Sequence, residues 1–576
     1  MPGDTLYINN KAIQQNTYDA IMVGSGISGG WAAKELCEKG LKTLVLERGR
    51  NVEHIKDYTD ATKNPWELKH RGGITQEDKI NQPVQSKIYA YNEVSKHFFV
   101  NDLGNPYTQV KPFLWMRGYQ VGGRSLVWGR QCYRWSDLDF EANLKDGHGI
   151  DWPIRYKDIE PWYDYVEPFV GISGSVENLP QLPDSKFLPA MELNCMEKEV
   201  AKRIKNIYKG ERRLIIGRTA NHTRQVGNRG PCQFRNKCEQ GCPFSGYFSS
   251  NSATLPAAMQ TGNLTIRPFS IVTEVLYDKD RKRATGVRIL DTETLKTEEY
   301  YARIIFLNAS TLNTAFILLN SVSDVFPKGF GNSSGQIGHH LMDHHLGVGA
   351  SGTLEGFEDK YYYGRRPTIA YVPRFRNINE RSTHPDFVRG YSHGGGAWRN
   401  GWGRDVEGID IGADLKEVLT EPGTWEFDLG GLGEVLPYYE NQVTLDMNKK
   451  DKLGLPLLAI DCELKDNERE MRKDMVNTAV EMFERVGAKN ISTWDSTDRE
   501  GERIFSVHDM GIARMGNDPR TSVLNKYNQM HDANNVFITD GSCMVSSACQ
   551  EPSLTYMALT ARACDFAVSQ LKKGNL

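Results

Sequence analysis

Two groups of residues in this sequence have types and spacing suited to chemistry, and the first is a C-x5-C-x3-C run. Cys232, Cys238 and Cys242 lie in the polar stretch GPCQFRNKCEQGCPFSG. One disulfide would leave a thiol over, and zinc usually takes four protein ligands, or three and a water. Thiolates also hold iron–sulfur clusters, and three of them suit a three-iron, four-sulfur cluster. A structural loop with free thiols is the alternative.

The second group is a glycine run with an acidic residue downstream. Gly24-x-Gly26-x-x-Gly29 follows the apolar run AIMV, opens the helical pattern GWAAKELCEKG, and is followed by TLVLE, which ends on Glu47. A strand, glycine turn, helix and acid-ended strand form a dinucleotide-binding unit. The turn approaches the pyrophosphate at the helix N-terminus, and the carboxylate accepts from a ribose hydroxyl. FAD and NAD share this pattern, so it does not choose between them.

The elements around these groups predict an α/β protein. DWPIRYKDIEPWYDYVEPFVG predicts a turn and an amphipathic helix, while LTIRPFSIVTEVLYD, ATGVRIL and RIIFLNAS predict strands. RGYQVGGRSLVWGR is a second glycine-rich segment. Residues 346–500 are aromatic, glycine-rich and strand-like, with HGGGAWRNGWGRD predicted as a long loop. The segment SLTYMALTARACDFAVSQLKK predicts a helix.

Composition limits the classes of function. The 576 residues suggest two or more structural units, and 70 Lys plus Arg against 73 Asp plus Glu give no basic field for nucleic acid. We see no apolar run of membrane-spanning length and no signal-peptide pattern at the N-terminus. Cys37, Cys195, Cys462 and Cys564 stand in apolar settings, which indicates buried free thiols in a reducing compartment. We therefore expect a cytoplasmic protein, or a periplasmic one if a partner subunit carries the export signal.

Several segments together resemble one family of flavoenzymes. They are VGSGISGGWAAKELCEKGLKTLVLERG, RGYQVGGRSLVWG, DWPIRYKDIEPWYDYVE, NSSGQIGHHLMDH, VHDMGIARMG and NVFITDGSCMVSSACQEPSLTYMALTARACD. In order and spacing they resemble the glucose–methanol–choline (GMC) oxidoreductases over nearly the whole chain. The bacterial branch of FAD-dependent sugar dehydrogenases and glucoside 3-dehydrogenases is the most similar. This resemblance implies a discontinuous Rossmann-like FAD-binding domain and a substrate-binding α+β domain with an antiparallel sheet.

The resemblance also implies domain bounds and cofactor contacts. The FAD-binding domain would comprise residues 1–150, 226–345 with the cysteine loop, and 501–576 with the catalytic histidine; residues 151–225 and 346–500 would form the substrate domain. Gly24, Ser25, Gly26, Gly29 and Glu47 would hold the ADP half of FAD; Gly122, Gly123 and Ser125 would approach the isoalloxazine and ribityl; Val272 would meet the adenine; and Asp540 and Gly541 would lie over the pyrophosphate or ribityl. Val127 stands where some members link flavin covalently through histidine, so non-covalent FAD is expected.

The catalytic pair implied by the resemblance is His508 and Glu551. The histidine would take the substrate's hydroxyl proton while a hydride passes to the flavin. Glu551 stands where the family has Asn or His, and a carboxylate there would repel a developing alkoxide unless it were protonated. Three interpretations stay open: a protonated donor or second base, a weakened enzyme, or an engineered change. We expect impaired or altered turnover with intact FAD binding.

The function expected from the resemblance is oxidation of a ring hydroxyl of a pyranose or glycoside, with C3 as the candidate carbon. The same cysteine spacing holds an iron–sulfur cluster in that branch, so Cys232, Cys238 and Cys242 would pass electrons to a protein acceptor. A small accessory subunit and a cytochrome c acceptor are the implied partners. The alternatives are an oxygen-using sugar oxidase and a flavin- and sugar-binding protein with impaired turnover.

Other polar and aromatic residues receive smaller roles. Asn308, Asp343, His344 and His345 are expected to be structural or cofactor-adjacent. Tyr391, Trp398 and Trp402, in the predicted glycine-rich loop, are candidates for stacking on a sugar ring through their apolar faces.

Overall fold

The computed structural model describes residues 16–361, 366–401, 404, 406, 408–409, 411–497 and 504–576. Trp402 lies outside these residues. The strands are β1 Thr17–Val23, β2 Thr43–Leu46, β3 Thr108–Gln109, β4 Phe113–Trp115, β5 Ile215–Ile216, β6 Leu264–Arg267, β7 Ser270–Asp278, β8 Arg283–Asp291, β9 Thr297–Leu307, β10 His344–His345, β11 Val348–Thr353, β12 Ala370–Val372, β13 Tyr391–Arg399, β14 Trp425–Glu434, β15 Gln442–Lys450, β16 Pro456–Asp461, β17 Lys489–Asp495, β18 Ile504–Ser506 and β19 Val536–Ile538.

The α-helices bring together segments that are far apart in the chain. They are α1 Ile27–Glu38, α2 Gln76–Asn81, α3 Asp137–Phe140, α4 Ala142–Asp146, α5 Tyr156–Val170, α6 Cys195–Ile207, α7 Leu255–Gln260, α8 Thr311–Asn320, α9 Ala413–Thr420, α10 Asp466–Val486 and α11 Ser553–Lys572. α11 packs against both α1 and α5. None of the helices in the described ranges is long and apolar enough to cross a membrane.

A seven-stranded mixed sheet carries the glycine turn. Its order is β6-β2-β1-β9-β8-β7, and β19 also pairs with β9. β6, β2, β1, β9 and β19 run parallel, whereas β8 pairs antiparallel with both β9 and β7. β2 is buried along its whole length, as expected of a parallel strand covered on both faces. The α/β class predicted from the sequence is confirmed.

The strand register brings the ends of three parallel strands together. Val23 of β1 is paired with Leu307 of β9, and Leu307 is also paired with Ile538 of β19. The next residues therefore meet at one edge, although they come from the start, middle and end of the chain. In open α/β sheets ligands bind outside this carboxyl edge.

A second seven-stranded sheet forms the other layer, as the resemblance implied. Its order is β17-β11-β14-β13-β12-β5, with β10 paired to β14, and every pairing is antiparallel. α6 and α10 pack together and share an apolar core with the sheet, which includes Met196, Val200, Met475 and Phe483.

The prediction of a long loop at HGGGAWRNGWGRD is wrong for the first seven residues, which lie in a strand. His393 to Arg399 belong to β13, which pairs with β14 from Tyr391↔Gly433 to Arg399↔Trp425. The glycines fit a strand here because its neighbour comes very close: a Cβ on Gly395 would lie 2.1 Å from the Asp428 carbonyl oxygen. Tertiary pairing thus overrides the turn preference of the glycines.

Candidate active site

The shared strand edge opens into a cavity of about 1590 Å³. Pockets that hold one drug-sized ligand occupy roughly 300–1,000 Å³, so this cavity has room for a large cofactor and a substrate. Its walls come from both sheets. The glycine turn, Glu47 and Asp540 line one part, and His508, Glu551 and Trp398 line another.

The glycine turn is tied to the second glycine-rich segment through one serine hydroxyl. Ser25 Oγ donates to Glu47 Oε2 at 2.6 Å and accepts from the Gly122 N–H at 2.9 Å. Glu47 also accepts from the N–H groups of Ser25 and Gly49. Burial raises the pKa of Glu47, and these donors oppose that rise. Ser125 Oγ donates to the Gly122 carbonyl and accepts from Ser250 N–H, which fixes the second segment.

The surroundings of Gly24 and Gly26 explain why these positions have no side chain. Gly24 has φ +91°, and a Cβ on it would lie 2.3 Å from the Asn308 carbonyl oxygen. Gly26 differs, because a Cβ there would meet nothing within 4 Å and would project into open space. Gly26 also lines the cavity. An open cradle beside the N-terminus of α1 fits a bound pyrophosphate, so the residues present fit FAD.

The remaining residues predicted to contact the cofactor also line the cavity, with two exceptions. Val272, Ser125, Gly123, Asp540 and Gly541 line the cavity, whereas Gly29 and Gly122 do not. Asp540 follows β19, accepts from Thr314 Oγ1 at 2.7 Å and from Ser542 N–H, and has its pKa raised to about 6 by burial. Asn308 accepts from Thr539 N–H and holds β9 to the segment after β19.

His508 lies at the cavity wall in contact with a second histidine. Its Nδ1 is 2.9 Å from Nδ1 of His344, with the two rings edge to face. His344 Nε2 lies 3.1 Å from the Ser547 carbonyl oxygen and 3.0 Å from that of Ala548. Burial lowers the pKa of His508 well below its usual range, and His344 and Arg124 lower it further. Burial therefore favours the neutral form of His508.

Two ionisable residues, Asp343 and Arg124, position the backbone around His508. The Asp343 carboxyl accepts from the N–H of His508 at 3.0 Å and from that of His344 at 2.7 Å. Arg124 donates to the Val507 carbonyl and to Asp509, so the second glycine-rich segment is bound to the histidine loop. Burial and the nearby Asp509 raise the pKa of Asp343 to about 8.

Glu551 lines the same cavity with one carboxyl oxygen unpartnered. Its Oε2 is buried and makes no hydrogen bond within the described residues. Burial raises its pKa to about 7. A carboxyl group without a nearby cation avoids the cost of a buried charge by keeping its proton. The carboxylate repulsion expected from the sequence is thereby reduced.

The three cysteines lie near one another in one loop. Cys232 and Cys238 line the cavity; burial raises the pKa of both thiols, and the neighbouring Cys242 thiol adds to this rise. Cys232 Sγ accepts from Phe234 N–H, and Cys242 Sγ accepts from Gly246 N–H. Across the described chain, no three His, Cys, Asp or Glu side chains are arranged to hold a metal ion. The structure therefore does not support the cluster.

The aromatic candidates differ in position. Trp398 lines the cavity and donates from Nε1 to Asn400. The proposed stacking role of Tyr391 is wrong, because its side chain is fully buried and its hydroxyl donates to Asp474 at 2.5 Å. His345 is buried beside β14. His344, expected to be structural or cofactor-adjacent, is the residue whose contact with His508 the sequence analysis missed.

Comparison with known proteins identifies the family. The GMC oxidoreductase family models match residues 18–346 and 437–560. The chain belongs to the GMC oxidoreductase family. It is an FAD-dependent oxidoreductase that acts on CH–OH groups.

Individual relatives cover almost the whole chain at low identity. A 2-methyl-1,2-propanediol dehydrogenase from Mycolicibacterium austroafricanum is 26% identical over 95% of this chain and 94% of its own length. The fructose dehydrogenase large subunit from Gluconobacter japonicus is 25% identical over 96% of this chain and 98% of its own. The pyridoxine 4-oxidase structure from Mesorbium loti has a TM-score of 0.58 at 16% identity, covering 96% of this chain and 99% of that chain. This last likeness shows the fold.

The open space at Gly26 gives a direct test of the cofactor cradle. Gly26→Ala adds a methyl group that touches no protein atom within 4 Å but enters the cavity. We expect the variant to unfold at the wild-type temperature when stripped of flavin and to retain at least tenfold less FAD. Circular dichroism and the flavin-to-protein absorbance ratio after desalting measure the two effects.

Gly401→Ala is the matched control, because Gly401 also has open space around its Cβ position and does not line the cavity. It should keep wild-type flavin content. Wild-type FAD retention by Gly26→Ala would place the pyrophosphate elsewhere.

Proposed function

We propose that this enzyme oxidises a ring hydroxyl of a pyranose or glycoside to a ketone, with C3 as the candidate position. The observation that carries the proposal is one continuous cavity, which the glycine turn, His508 and Glu551 all line. Full-length similarity to a fructose dehydrogenase large subunit supports a sugar as the substrate. Trp398 on the cavity wall offers an aromatic face for a sugar ring.

Bound FAD would supply the acceptor for the hydride that leaves the carbon bearing the hydroxyl. The role of His508 is to take the hydroxyl proton, since breaking the carbon–hydrogen bond becomes easier as the alkoxide develops. Because burial keeps the imidazole neutral, it is in its basic form throughout the neutral pH range.

Glu551 acts in this proposal as a neutral hydrogen-bond donor. Its unpartnered Oε2 has no group of the protein to bind, so it is available for the substrate oxygen. A protonated carboxyl supplies the donor hydrogen that Asn or His supplies elsewhere in the family, and it stabilises the developing negative charge. This interpretation replaces impaired turnover by turnover that depends on pH.

The cofactor is held without a covalent bond in this proposal. The turn Gly24–Gly26 and Glu47 would hold the ADP half, Val272 would hold the adenine, and Asp540 and Gly541 after β19 would hold the pyrophosphate or ribityl. Val127, at the family's linkage position, is a buried aliphatic side chain and cannot form a bond to the flavin.

Acid or heat precipitation should leave all FAD in the supernatant, and yellow colour in the pellet would contradict this.

The iron–sulfur cluster stays a prediction, and no step above depends on it. The three thiols share one loop beside the cavity, and backbone N–H groups already point at two of the sulfurs. If a cluster assembles there, an accessory subunit and a cytochrome c are the predicted partners. Otherwise reduced flavin is reoxidised directly, which includes the oxygen-using alternative.

Product analysis tests the function. The holoenzyme is incubated with a panel of pyranoses, glycosides and acyclic polyols, with an artificial electron acceptor or with oxygen alone. We expect a ring ketone from at least one pyranose or glycoside and little hydrogen peroxide. Oxidation of only acyclic alcohols would overturn the substrate class, and stoichiometric peroxide would favour the oxidase.

The protonation of Glu551 predicts an unusual pH dependence. Its raised pKa of about 7 means that the donor proton is present below pH 7 and is lost above it. The rate constant of anaerobic flavin reduction should therefore fall above pH 7, by about tenfold per pH unit. Stopped-flow absorbance at saturating substrate measures it.

Glu551→Gln is the matched variant, because its amide donates a hydrogen bond at every pH. It should remove the fall above pH 7, and the same fall in this variant would assign the titration to another group. A higher rate in Glu551→Asn at all pH values would instead favour impaired turnover.

Iron analysis tests the cysteine loop. If the cluster forms, protein purified without oxygen should be brown and contain about three irons per chain. The Cys238→Ser variant should lose iron and keep FAD. Iron-free protein with a pure flavin spectrum would remove the cluster from the account.

A further inference from the structure

We propose that His344 holds His508 in the tautomer that leaves Nε2 without a proton, so that Nε2 is the atom that takes the substrate's proton. This inference rests on the proposed function of His508, and it assigns His344 as a positioning residue.

The two carbonyl groups beside His344 decide where its proton lies. Oxygen atoms of Ser547 and Ala548 lie 3.1 and 3.0 Å from Nε2, and a carbonyl oxygen only accepts hydrogen bonds. Nε2 of His344 must therefore carry the N–H. Burial lowers the pKa of His344 to about 4, so the ring is neutral and Nδ1 has a lone pair.

The proton on His508 follows from that lone pair. The 2.9 Å contact joins Nδ1 of His344 to Nδ1 of His508, and a hydrogen bond needs one proton between them. Because Nδ1 of His344 can only accept, Nδ1 of His508 must donate. A neutral imidazole carries one proton, so Nε2 of His508 has none.

The surrounding backbone fixes this arrangement. Ser547 is held by Val435, the residue after β14, since its hydroxyl donates to the Val435 carbonyl and accepts from Val435 N–H. Ala548 has φ +54°, an uncommon conformation for a residue with a side chain, which brings two successive carbonyls to one nitrogen. Asp343 binds the backbone N–H of both histidines.

The alternative tautomer would leave the site without a base. With its proton on Nε2, His508 could only donate to the substrate oxygen, and its Nδ1 lone pair would face the lone pair of His344. The bond that forms in the reaction is Nε2–H, the bond that breaks is the substrate O–H, and the hydride leaves to FAD. A wrong tautomer therefore affects the chemical step more than substrate binding.

Neutron diffraction tests the proton positions directly. Crystals of the FAD-loaded protein are exchanged into heavy water at pH 7. We expect deuterium on Nε2 of His344 and on Nδ1 of His508, and none on Nε2 of His508. Deuterium on Nε2 of His508 would overturn the inference, whether or not any sugar is a substrate.

Two substitutions at His344 extend the test to kinetics. His344→Asn keeps an oxygen acceptor near the Nδ1 position and should keep the His508 tautomer, with flavin reduction within about tenfold of wild type. His344→Leu removes the acceptor and should slow saturated flavin reduction about 100-fold or more, with the substrate dissociation constant unchanged. Equal rates of flavin reduction in His344→Leu and wild type would overturn the inference. Equally slow reduction in His344→Asn and His344→Leu would overturn it as well.

His340→Leu is the control for loss of a buried histidine. His340 contacts the Pro437 carbonyl and Gln336, does not line the cavity, and also has its pKa lowered to about 4 by burial. It should lower thermal stability but leave the rate intact. If no compound in the panel reduces the flavin of the wild-type enzyme, the proposed function fails, while the neutron map still decides the tautomer.

Discussion

The hydrogen bond between His344 and His508 is the interaction on which the rest of the site depends. It joins residues separated by 164 positions, and His344 is further tied through the Ser547 and Ala548 carbonyls to the segment that leads to Glu551. The bond exists because β10 is placed beside β14 and because Asp343 draws both backbones together. A neutral, oriented imidazole at the cavity wall is the result.

Burial shifts the pKa values of His508 and Glu551 in opposite directions, and both shifts favour the neutral form. Removing His508 from water favours its neutral form, which is a base, and removing Glu551 from water favours its neutral form, which is an acid. The two groups thus divide donor and acceptor roles without an ion pair. Arg124, which also lines the cavity, is engaged with Asp509 and the Val507 carbonyl.

Local patterns predicted local structure, and tertiary contacts decided the rest. The turn Gly24–Gly29 and Glu47 could be predicted because strand, turn and helix follow one another within one unit. β13 could not, since its glycines indicate a loop unless β12 and β14 are known to flank them. Tyr391 was assigned to a sugar contact from residue type alone, whereas its hydroxyl is buried against Asp474.

The catalytic claim rests on His508 acting on a substrate hydroxyl beside bound FAD. The most direct measurement is anaerobic bleaching of the flavin by a glycoside, compared with the same glycoside deuterated at the carbon that is oxidised, in wild type and in His508→Ala. The account predicts slower bleaching with the deuterated sugar and a loss of about 100-fold or more in the alanine variant, with FAD content unchanged. Equal bleaching by His508→Ala, or no bleaching of wild type by any pyranose or glycoside, would contradict it.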